Sequence, residues 1–342
     1  MVRHIASNAL TLLIFAMTLV GGIIAWGGVQ MDKPGGFNED VVFEVKQGDR
    51  LQAVSERLEE QGLIANGQIF RIAARYSGDD ARLKFGEYKV PAHSSMEEVL
   101  GLITSGRALA YQVTIPEGLT SWQVVQRLLE EQLLSGDVAE IPPEGSLAPN
   151  TYSISKGDTR MSLLRRMTVA QQTILNEAWE LRAEGLPLAS PDEALTLASI
   201  VEKETGVGSE REIVASVFVN RLNRGMKLQT DPTVIYGITR GKGTLGRGIR
   251  QSELRKRTEY NTYVIEGLPP TPIANPGKAA IEAVMNPATT NYVFFVADGT
   301  GGHAFAEILG EHNKNVRAWR KIEAQKRAEE RAREAAEAAG EE

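Results

Sequence analysis

The segment SPDEALTLASIVEKETG, which begins at Ser190, combines an apolar helical face with a single carboxylate on that face. Ser190 and Glu193 have the spacing of a capping box, so a helix should begin there, and Gly206 should end it. At about 100° per residue, Glu204 lies within about 20° of Leu197, in the middle of the apolar face. Burial raises the pKa of a carboxyl group, and a protonated carboxyl can act as a general acid. The alternative is a structural carboxylate that arginine or backbone donors neutralise.

The same helix carries a second carboxylate, Glu202, which the helical wheel places away from the apolar face. Two short motifs further along the chain, LQTDPTVIYG and EYNTY, supply polar and aromatic side chains that could bind a substrate. Amides hydrogen-bond N-acetyl and hydroxyl groups, and tyrosine rings present an apolar face with a polar tip. A turn or core role is the alternative for each of these residues. The candidate substrate-binding residues are Gln229, Asp231, Tyr260, Asn261 and Tyr263.

The composition excludes several other kinds of site. The chain of 342 residues has no cysteine and four histidines, so thiol catalysis and cysteine-containing zinc sites are excluded and a histidine-rich metal centre is not expected. The formal net charge of −6 argues against a nucleic-acid partner. A GxGxxG pattern begins at Gly241, but the glycine-rich sequence continues instead of opening a helix, so no dinucleotide cofactor is expected. We therefore predict chemistry without a metal or a cofactor.

The stretch SIVEKETGVGSEREIVASVFVNRLNRGMKLQTDPTVIYG, with EYNTYVIEGLPPTPIANPG and FFVADGTGGHAF further on, closely resembles the endolytic murein transglycosylases of the YceG-like family. The resemblance covers most of residues 41–320, and EGSLAPNTY at Glu144 resembles an E-G-x-x-x-P-x-T-Y motif of that family. Lytic transglycosylases generally place the catalytic glutamate at the end of a helix, directly before Ser or Thr. Glu204 fits that pattern and Glu202 does not, so Glu204 is the predicted catalytic residue and Glu202 the second candidate. The Tyr260–Asn261 pair also resembles one that lines the cleft in lytic transglycosylases.

The resemblance implies cleavage of the β-1,4 bond between N-acetylmuramic acid and N-acetylglucosamine in peptidoglycan without water. Glu204 would protonate the glycosidic oxygen, and its carboxylate would then take the proton of the muramyl C6 hydroxyl as a 1,6-anhydro ring closes. One carboxyl then serves in two roles, unlike the usual pair of carboxylates in glycosidases. The resemblance also implies that nascent strands are cut internally, which would terminate strands made by membrane-bound synthases.

Two other functions remain open at this point. The first is a muramidase-type hydrolase in which Asp231 or Glu202 activates water; an inverting pair needs carboxyl groups about 6.5–9.5 Å apart. The second is a non-catalytic cell-wall-binding scaffold, which predicts that Glu204→Gln leaves function intact.

The elements that position these residues begin with an uncharged segment, residues 9–29. About 21 helical residues span the ~30 Å hydrocarbon core of a bilayer. Residues 1–8 carry Arg3 and no acid, so the positive-inside rule places the N-terminus in the cytoplasm and the body of the protein in the periplasm. The expected location is the cell inner membrane. A cleaved signal peptide is the alternative, although no A-x-A site follows the apolar segment.

The remainder of the chain predicts an α+β protein with two regions. A weak internal repeat, in which Gly48 pairs with Gly118, indicates two copies of a strand, a glycine turn and a helix. The first region resembles a LysM-like module, which in other proteins binds glycans that contain N-acetylglucosamine; a small α+β spacer is the alternative. The predicted segments are a linker over 30–40, the LysM-like module over 41–110, a lytic-transglycosylase-type α+β catalytic domain over 111–320, and a charged helical or disordered tail over 321–342.

Smaller predictions concern the surroundings of the site. Ser209 and Glu212 have the spacing of a capping box, Arg221 is a candidate partner for a carboxylate near the cleft, and His303 is expected to be a positioning residue in a glycine-rich loop.

Overall fold

The computed structural model describes residues 2–340, with side chains over residues 10–332. Met1, Glu341 and Glu342, at the ends of the predicted leader and tail, lie outside the described residues, as does the side chain of Arg3. The chain forms two compact units. Unit 1 runs to Gln112 and includes the short segments Leu133–Ser135 and Ser153–Thr159, and unit 2 holds the rest of the described chain. The predicted α+β class is confirmed, because helices predominate and the described strands form three two-stranded sheets.

Unit 1 consists of a small sheet covered by helices. Strands β1 and β2 are antiparallel, with Phe43 opposite Tyr88, and both side chains are buried in the core of the unit. Ser95 and Glu98 form a reciprocal capping box at the start of the last helix. The elements of unit 1 are α1 (Val2–Asp32), β1 (Val41–Val45), α2 (Leu51–Glu60), α3 (Gly67–Ser77), β2 (Gly86–Val90) and α4 (Met96–Ser105).

The predicted membrane-spanning segment lies within α1. Its apolar stretch, Leu10–Asp32, is long and apolar enough to cross a membrane, although a signal sequence near the N-terminus would have the same properties. The large side chains of this stretch are exposed; Trp26, for example, retains 56% of its accessible surface. Met31, in contrast, is buried in the core of unit 1. The C-terminal turn of α1 is therefore part of the folded unit.

Unit 2 is built around one buried helix, α7. Helices α6, α8, α9 and α11 contact it, and its apolar residues form the centre of the largest buried cluster. Strands β3 and β4 pair with each other, as do β5 and β6. The remaining elements in chain order are β3 (Tyr111–Ile115), α5 (Ser121–Glu130), β4 (Asn150–Ile154), α6 (Arg160–Glu180), α7 (Pro191–Glu204), α8 (Arg211–Asn223), α9 (Asp231–Thr239), α10 (Gln251–Arg255), α11 (Lys278–Met285), β5 (Phe294–Ala297), β6 (His303–Ala306) and α12 (Leu309–Gly340).

The internal repeat is confirmed in detail. The bounds of β3 and α5 each lie 70 residues after those of β1 and α2. Gly48 and Gly118 both adopt positive φ, +85° and +74°, in the turn between strand and helix, where a side chain would be strained. Arg57 and Arg127 each donate to a carbonyl of their own strand, that of Glu44 and that of Thr114 respectively. The two copies therefore share a tertiary contact as well as a sequence pattern.

The ends of α7 differ slightly from the prediction. Ser190 caps the helix by accepting a hydrogen bond from the Glu193 amide, as expected, but the Glu193 carboxylate accepts from Ala189 rather than from Ser190. At the other end, Thr205 leaves the helix in an extended conformation with φ of −138°, and Gly206 does not adopt the left-handed conformation expected of a helix stop. The catalytic candidate is thus the last helical residue.

The helical wheel of α7 was wrong in one respect. The structure buries every residue from Ala194 to Val201, so α7 has no exposed face along this stretch. A helix that is buried on all sides offers no wheel-based reason to prefer one terminal carboxylate over another. Glu202 and Glu204 are accordingly both partly buried.

Two other local predictions have definite outcomes. The capping box at Ser209 is wrong, because a 3-10 turn over Gly208–Glu210 leads into α8 without a side-chain cap. The charged tail is helical as far as Gly340.

Candidate active site

Glu204 lies where α7 meets the start of α9. Its Oε1 accepts a hydrogen bond from the hydroxyl of Thr230, the residue that immediately precedes α9. Thr230 is buried, and its amide donates to the hydroxyl of Thr262 at 3.1 Å. The Thr262 hydroxyl also lies 2.9 Å from that of Thr233. The carboxyl therefore contacts a buried network of threonine hydroxyls. Thr230 belongs to the LQTDPTVIYG motif, but its hydrogen bond to Glu204 was not predicted from the sequence.

The surroundings of Glu204 hold its pKa above the ordinary value. Burial of the carboxyl is the largest cause, and the negative charge of Asp231 acts in the same direction. The Thr230 hydrogen bond and the charges of His303 and Arg221 lower the pKa and offset part of this rise. The carboxyl is thus favoured in its protonated form, while groups that stabilise its anion stand close by.

Asp231 and Tyr263 form a hydrogen-bonded pair beside Glu204. The Tyr263 hydroxyl donates to Oδ1 of Asp231 at 2.6 Å. Burial and the Asp231 carboxylate raise the pKa of Tyr263, so the phenol remains a hydrogen-bond donor. Asp231 is exposed and Tyr263 is partly buried, so both present polar atoms at the surface next to the carboxyl.

Gln229 is exposed and strained. Its φ is +50°, a conformation that non-glycine residues adopt infrequently. The Gln229 amide donates to the Thr262 carbonyl at 3.2 Å, and its side-chain oxygen lies 3.4 Å from a guanidinium nitrogen of Arg221. Strain of this kind persists where the surrounding structure enforces it, and it is concentrated at functional sites.

Arg221 is a buried cation on α8. Its guanidinium donates to the carbonyl oxygens of Val293 at 2.6 Å and Leu228 at 2.8 Å, and it lies 5.5 Å from the ring centre of Phe294. Its described partners are carbonyl and amide oxygens rather than a carboxylate within ion-pair distance. Burial lowers the pKa of Arg221, and the charge of Glu204 acts against this. The positive charge of Arg221 therefore stabilises the ionised form of Glu204.

Tyr260 and Asn261 are in the interior rather than at the surface. The Asn261 side-chain nitrogen donates to the carbonyls of Glu253, Leu254 and Lys256, and its oxygen accepts from the Tyr263 amide. The Tyr260 hydroxyl is 2.7 Å from that of Thr271, and its ring packs against Tyr236. Because these polar atoms are already engaged, the geometry favours a positioning role for Tyr260 and Asn261 instead of the direct sugar contact expected from sequence.

Glu202 stabilises the start of another helix. Its Oε2 accepts a hydrogen bond at 2.9 Å from the amide of Gly277, the residue before α11. Burial raises the pKa of Glu202, the neighbouring Glu117 acts in the same direction, and the Gly277 amide and Arg211 oppose them. A carboxylate at a helix N-terminus has a structural explanation, because amides left unpaired there attract negative charge.

Glu144, in the EGSLAPNTY motif, is a third buried carboxylate of unit 2. Its two oxygens accept from the Ser121 amide at 2.7 Å and from the Tyr236 hydroxyl at 3.1 Å. Burial raises its pKa. These contacts join α5 to α9, so Glu144 supports the helix that carries Asp231.

His303 lies at the start of β6 and not in a loop. Its Nδ1 is 2.7 Å from a carboxylate oxygen of Glu210, and its backbone amide donates to the other oxygen at 2.9 Å. Among the side chains that the structure describes, no cluster of three or more His, Asp or Glu residues could hold a metal ion. The site therefore offers carboxyl, hydroxyl, amide and guanidinium groups.

Comparison with known proteins places this arrangement in a family. A sequence profile of the YceG-like family matches residues 43–318, which include every candidate residue of the site. The chain belongs to the YceG-like family. The endolytic murein transglycosylase of Bacillus subtilis is 27% identical over 328 residues, which cover 86% of this chain and 89% of that protein.

Two further members of the family support the assignment. The endolytic murein transglycosylase of Streptococcus pneumoniae strain D39 is 30% identical, and the match covers 81% of this chain and 58% of that protein. This chain thus spans little more than half the length of the pneumococcal relative. The crystal structure of a yceG-like protein from Listeria monocytogenes matches this one with a TM-score of 0.50 and 28% sequence identity. The match covers 81% of this chain and 99% of the Listeria chain.

Proposed function

We propose that this protein is an endolytic murein transglycosylase that cleaves the β-1,4 bond between N-acetylmuramic acid and N-acetylglucosamine. The observation that carries the proposal is Glu204, a carboxyl group at the end of a buried helix with a raised pKa and a hydroxyl donor on one oxygen. The names of the relatives in Bacillus and Streptococcus support the same activity.

The proposed reaction uses one carboxyl twice. Protonated Glu204 donates its proton to the glycosidic oxygen as the bond from that oxygen to C1 of the muramyl residue breaks. The resulting carboxylate accepts the proton of the C6 hydroxyl, and the C6 oxygen bonds to C1 and closes the 1,6-anhydro ring. Glu204 is protonated again at the end, so no water, metal or cofactor enters the balance.

The neighbouring groups suit both halves of this cycle. Burial and Asp231 favour the protonated acid before bond cleavage. Thr230, Arg221 and His303 stabilise the carboxylate that exists between the two proton transfers. In this proposal Gln229, Asp231 and Tyr263 contact the sugar, because they are at or near the surface beside the carboxyl.

The proposal also includes a location. Helix α1 would anchor the protein in the cell inner membrane, with the N-terminus in the cytoplasm and the chain after α1 in the periplasm. There the enzyme would cut nascent strands and end their elongation, beside the membrane-bound synthases that make them. The LysM-like character of residues 41–110 remains a prediction.

Analysis of reaction products would test the proposal. Uncrosslinked glycan strands are incubated with the wild-type protein, with Glu204→Gln and with Glu202→Gln, and the muropeptides are identified by mass spectrometry. We expect anhydromuramyl ends with the wild type and with Glu202→Gln, and a loss of about 10²–10⁴-fold in rate with Glu204→Gln. Reducing ends would instead indicate a hydrolase. Cleavage that survives Glu204→Gln would remove Glu204 from the mechanism, and an absence of cleavage by the wild type would favour a binding scaffold.

A further inference from the structure

Helix α3 of unit 1 is apolar on two opposite faces. Phe70 and Ala74 are fully buried in the core of the unit. Ile72, two residues after Phe70, and Tyr76, two residues after Ala74, point away from that core. They retain 68% and 84% of their accessible surface. The helix itself is well defined, because the Asn66 side chain caps it by accepting from two backbone amides. A firmly held helix thus presents large apolar side chains to the outside.

This outward face is continuous with the surface of α1. The C-terminal part of α1 contacts α3 and α4, and between them lies a groove of about 490 Å³. Ile69 and Ala73 of α3 are partly buried against the core and border this groove. The residues that line the groove beside the exposed face include Ile23, Trp26 and Gly28 of α1 and Ile72 and Tyr76 of α3.

The length of α1 sets the depth of this face in a bilayer. If Asp32 marks the polar end of the spanning helix, a rise of 1.5 Å per residue places Gly28 about 6 Å and Ile23 about 14 Å below it. Gly28 therefore lies near the boundary between headgroups and acyl chains, whereas Ile23 lies deeper, toward the middle of the ~30 Å hydrocarbon core. Interfacial helices bury their apolar faces about 5–10 Å into this boundary.

The charges around the face are compatible with such a position. Arg75, next to Tyr76 on α3, is exposed, and its long side chain can extend to lipid phosphates. Asp79, two residues after the end of α3, forms an ion pair with Arg82 at 3.1 Å. The pKa of the Glu97 carboxyl, at the rim of the groove, is raised, chiefly because this group shares a hydrogen bond with Asp32.

We infer that Ile72, Tyr76 and the adjoining groove are embedded in the outer leaflet of the membrane that α1 spans, so that unit 1 lies on the lipid surface by a second attachment. This inference rests on the membrane anchoring in the proposed function. The occupant is lipid, because the groove opens directly onto the apolar, exposed side of the spanning helix. A lipid-embedded α3 fixes which face of unit 1 points toward the membrane.

The absence of cysteine from the chain permits a direct test. The full-length protein is prepared with one cysteine at a time, Ile72→Cys, Val42→Cys or Leu19→Cys, labelled with a nitroxide and reconstituted into vesicles of phosphatidylethanolamine and phosphatidylglycerol. Collisional relaxation is then measured with oxygen, which concentrates in lipid, and with a water-soluble nickel chelate. Val42 is the matched control, because it is an exposed apolar residue on β1 of the same unit, with 55% of its surface accessible.

We expect the label at Ile72 to resemble the label at Leu19, with oxygen access several-fold above nickel access, and the label at Val42 to behave as an aqueous site. An aqueous signal at Ile72 with a lipid signal at Leu19 would overturn this inference and leave the anchoring intact. An aqueous signal at Leu19 would overturn the anchoring as well. Protection of Ile72 from both reagents, with dipolar broadening between labels, would show a second copy in the groove and would also overturn the inference.

Discussion

Glu204 combines a raised pKa with nearby groups that stabilise its anion. A carboxyl that acts first as an acid and then as a base must neither hold its proton too tightly nor lose it to solvent. Burial and Asp231 favour the proton, whereas Thr230, His303 and Arg221 favour the charge. The effect of each neighbour on the pKa can be measured separately.

The pH profile should shift in opposite directions in two variants. In the proposed mechanism activity requires protonated Glu204, so kcat/KM should fall as the pH rises through the pKa of this carboxyl. Thr230→Val removes a donor that stabilises the Glu204 carboxylate, which raises the pKa of Glu204. The alkaline limb of the pH profile, where kcat/KM falls, should therefore move to higher pH by about one unit. Asp231→Asn removes a negative charge, which lowers the pKa and should move the limb to lower pH.

Thr290→Val is the matched control for these profiles. Thr290 bonds Ser216 through its hydroxyl at 2.7 Å and has no described contact with the carboxyl, so its limb should stay in place. Shifts of Thr230→Val and Asp231→Asn in the same direction would contradict the electrostatic account of the site.

Loss of the carboxyl should stabilise the protein above the acidic range. The pKa of Glu204 is raised above 4.5 in the folded state, so the folded protein binds more protons than the unfolded chain at intermediate pH. The free energy of unfolding therefore falls as the pH rises from the unfolded pKa through the folded pKa. Glu204→Gln removes this fall in the free energy of unfolding. The melting temperature of the variant should therefore exceed that of the wild type near pH 8 and match it more closely near pH 4. A difference that does not depend on pH would argue against a perturbed carboxyl.

At the scale of elements, α7 and the segment around Asn261 position the site. Helix α7 is buried along most of its length, so Glu204 at its end has a fixed location. Asn261 holds the segment from Glu253 to Lys256 and also accepts from the Tyr263 amide, which places the phenol against Asp231. A side chain that was expected to bind sugar thus holds together the backbone behind the site.

Asn261→Ala should therefore reduce stability and activity together. It leaves three carbonyl oxygens without their donor, and we expect a loss of about 1–3 kcal/mol in the free energy of unfolding. Release of Tyr263 should lower kcat/KM as well. Urea denaturation and assays on glycan strands check both effects, and Asn313→Ala, an exposed asparagine on α12, serves as the control. An unchanged stability with an increase in KM alone would instead support direct sugar binding by Asn261.

At the scale of the whole molecule, the chain consists of helix α1, which is a candidate membrane span, and two folded units. The end of α1 is packed into unit 1 through Met31, so no flexible linker separates the helix from this unit. Unit 1 carries the first copy of the repeat, and the second copy runs from β3 into α5. The predicted orientation follows from charges at the N-terminus alone.

Single-cysteine labelling should report this orientation. In intact spheroplasts, a membrane-impermeant maleimide should modify Asn150→Cys, an exposed position on β4, and should leave Ser7→Cys unmodified until the membrane is permeabilised. Gel-shift detection of the adduct gives the result. Labelling of Ser7→Cys in intact cells would reverse the topology, and release of Asn150→Cys into the medium without α1 would indicate a cleaved signal peptide.

Local patterns were sufficient to identify α1, the repeat with its two turn glycines and the cap at Ser190, whereas the choice of Glu204 over Glu202 came from the family resemblance. Each of these patterns depends on residues close together in the chain, where hydrophobic periodicity, glycine conformation and capping act directly. The tertiary structure alone decided that α7 is buried on all sides from Ala194 to Val201, that Asn261 is enclosed, and that the Thr230 hydroxyl donates to Glu204. Those facts depend on contacts between distant segments, and burial and hydrogen bonding across such contacts are not encoded in the spacing of any single element.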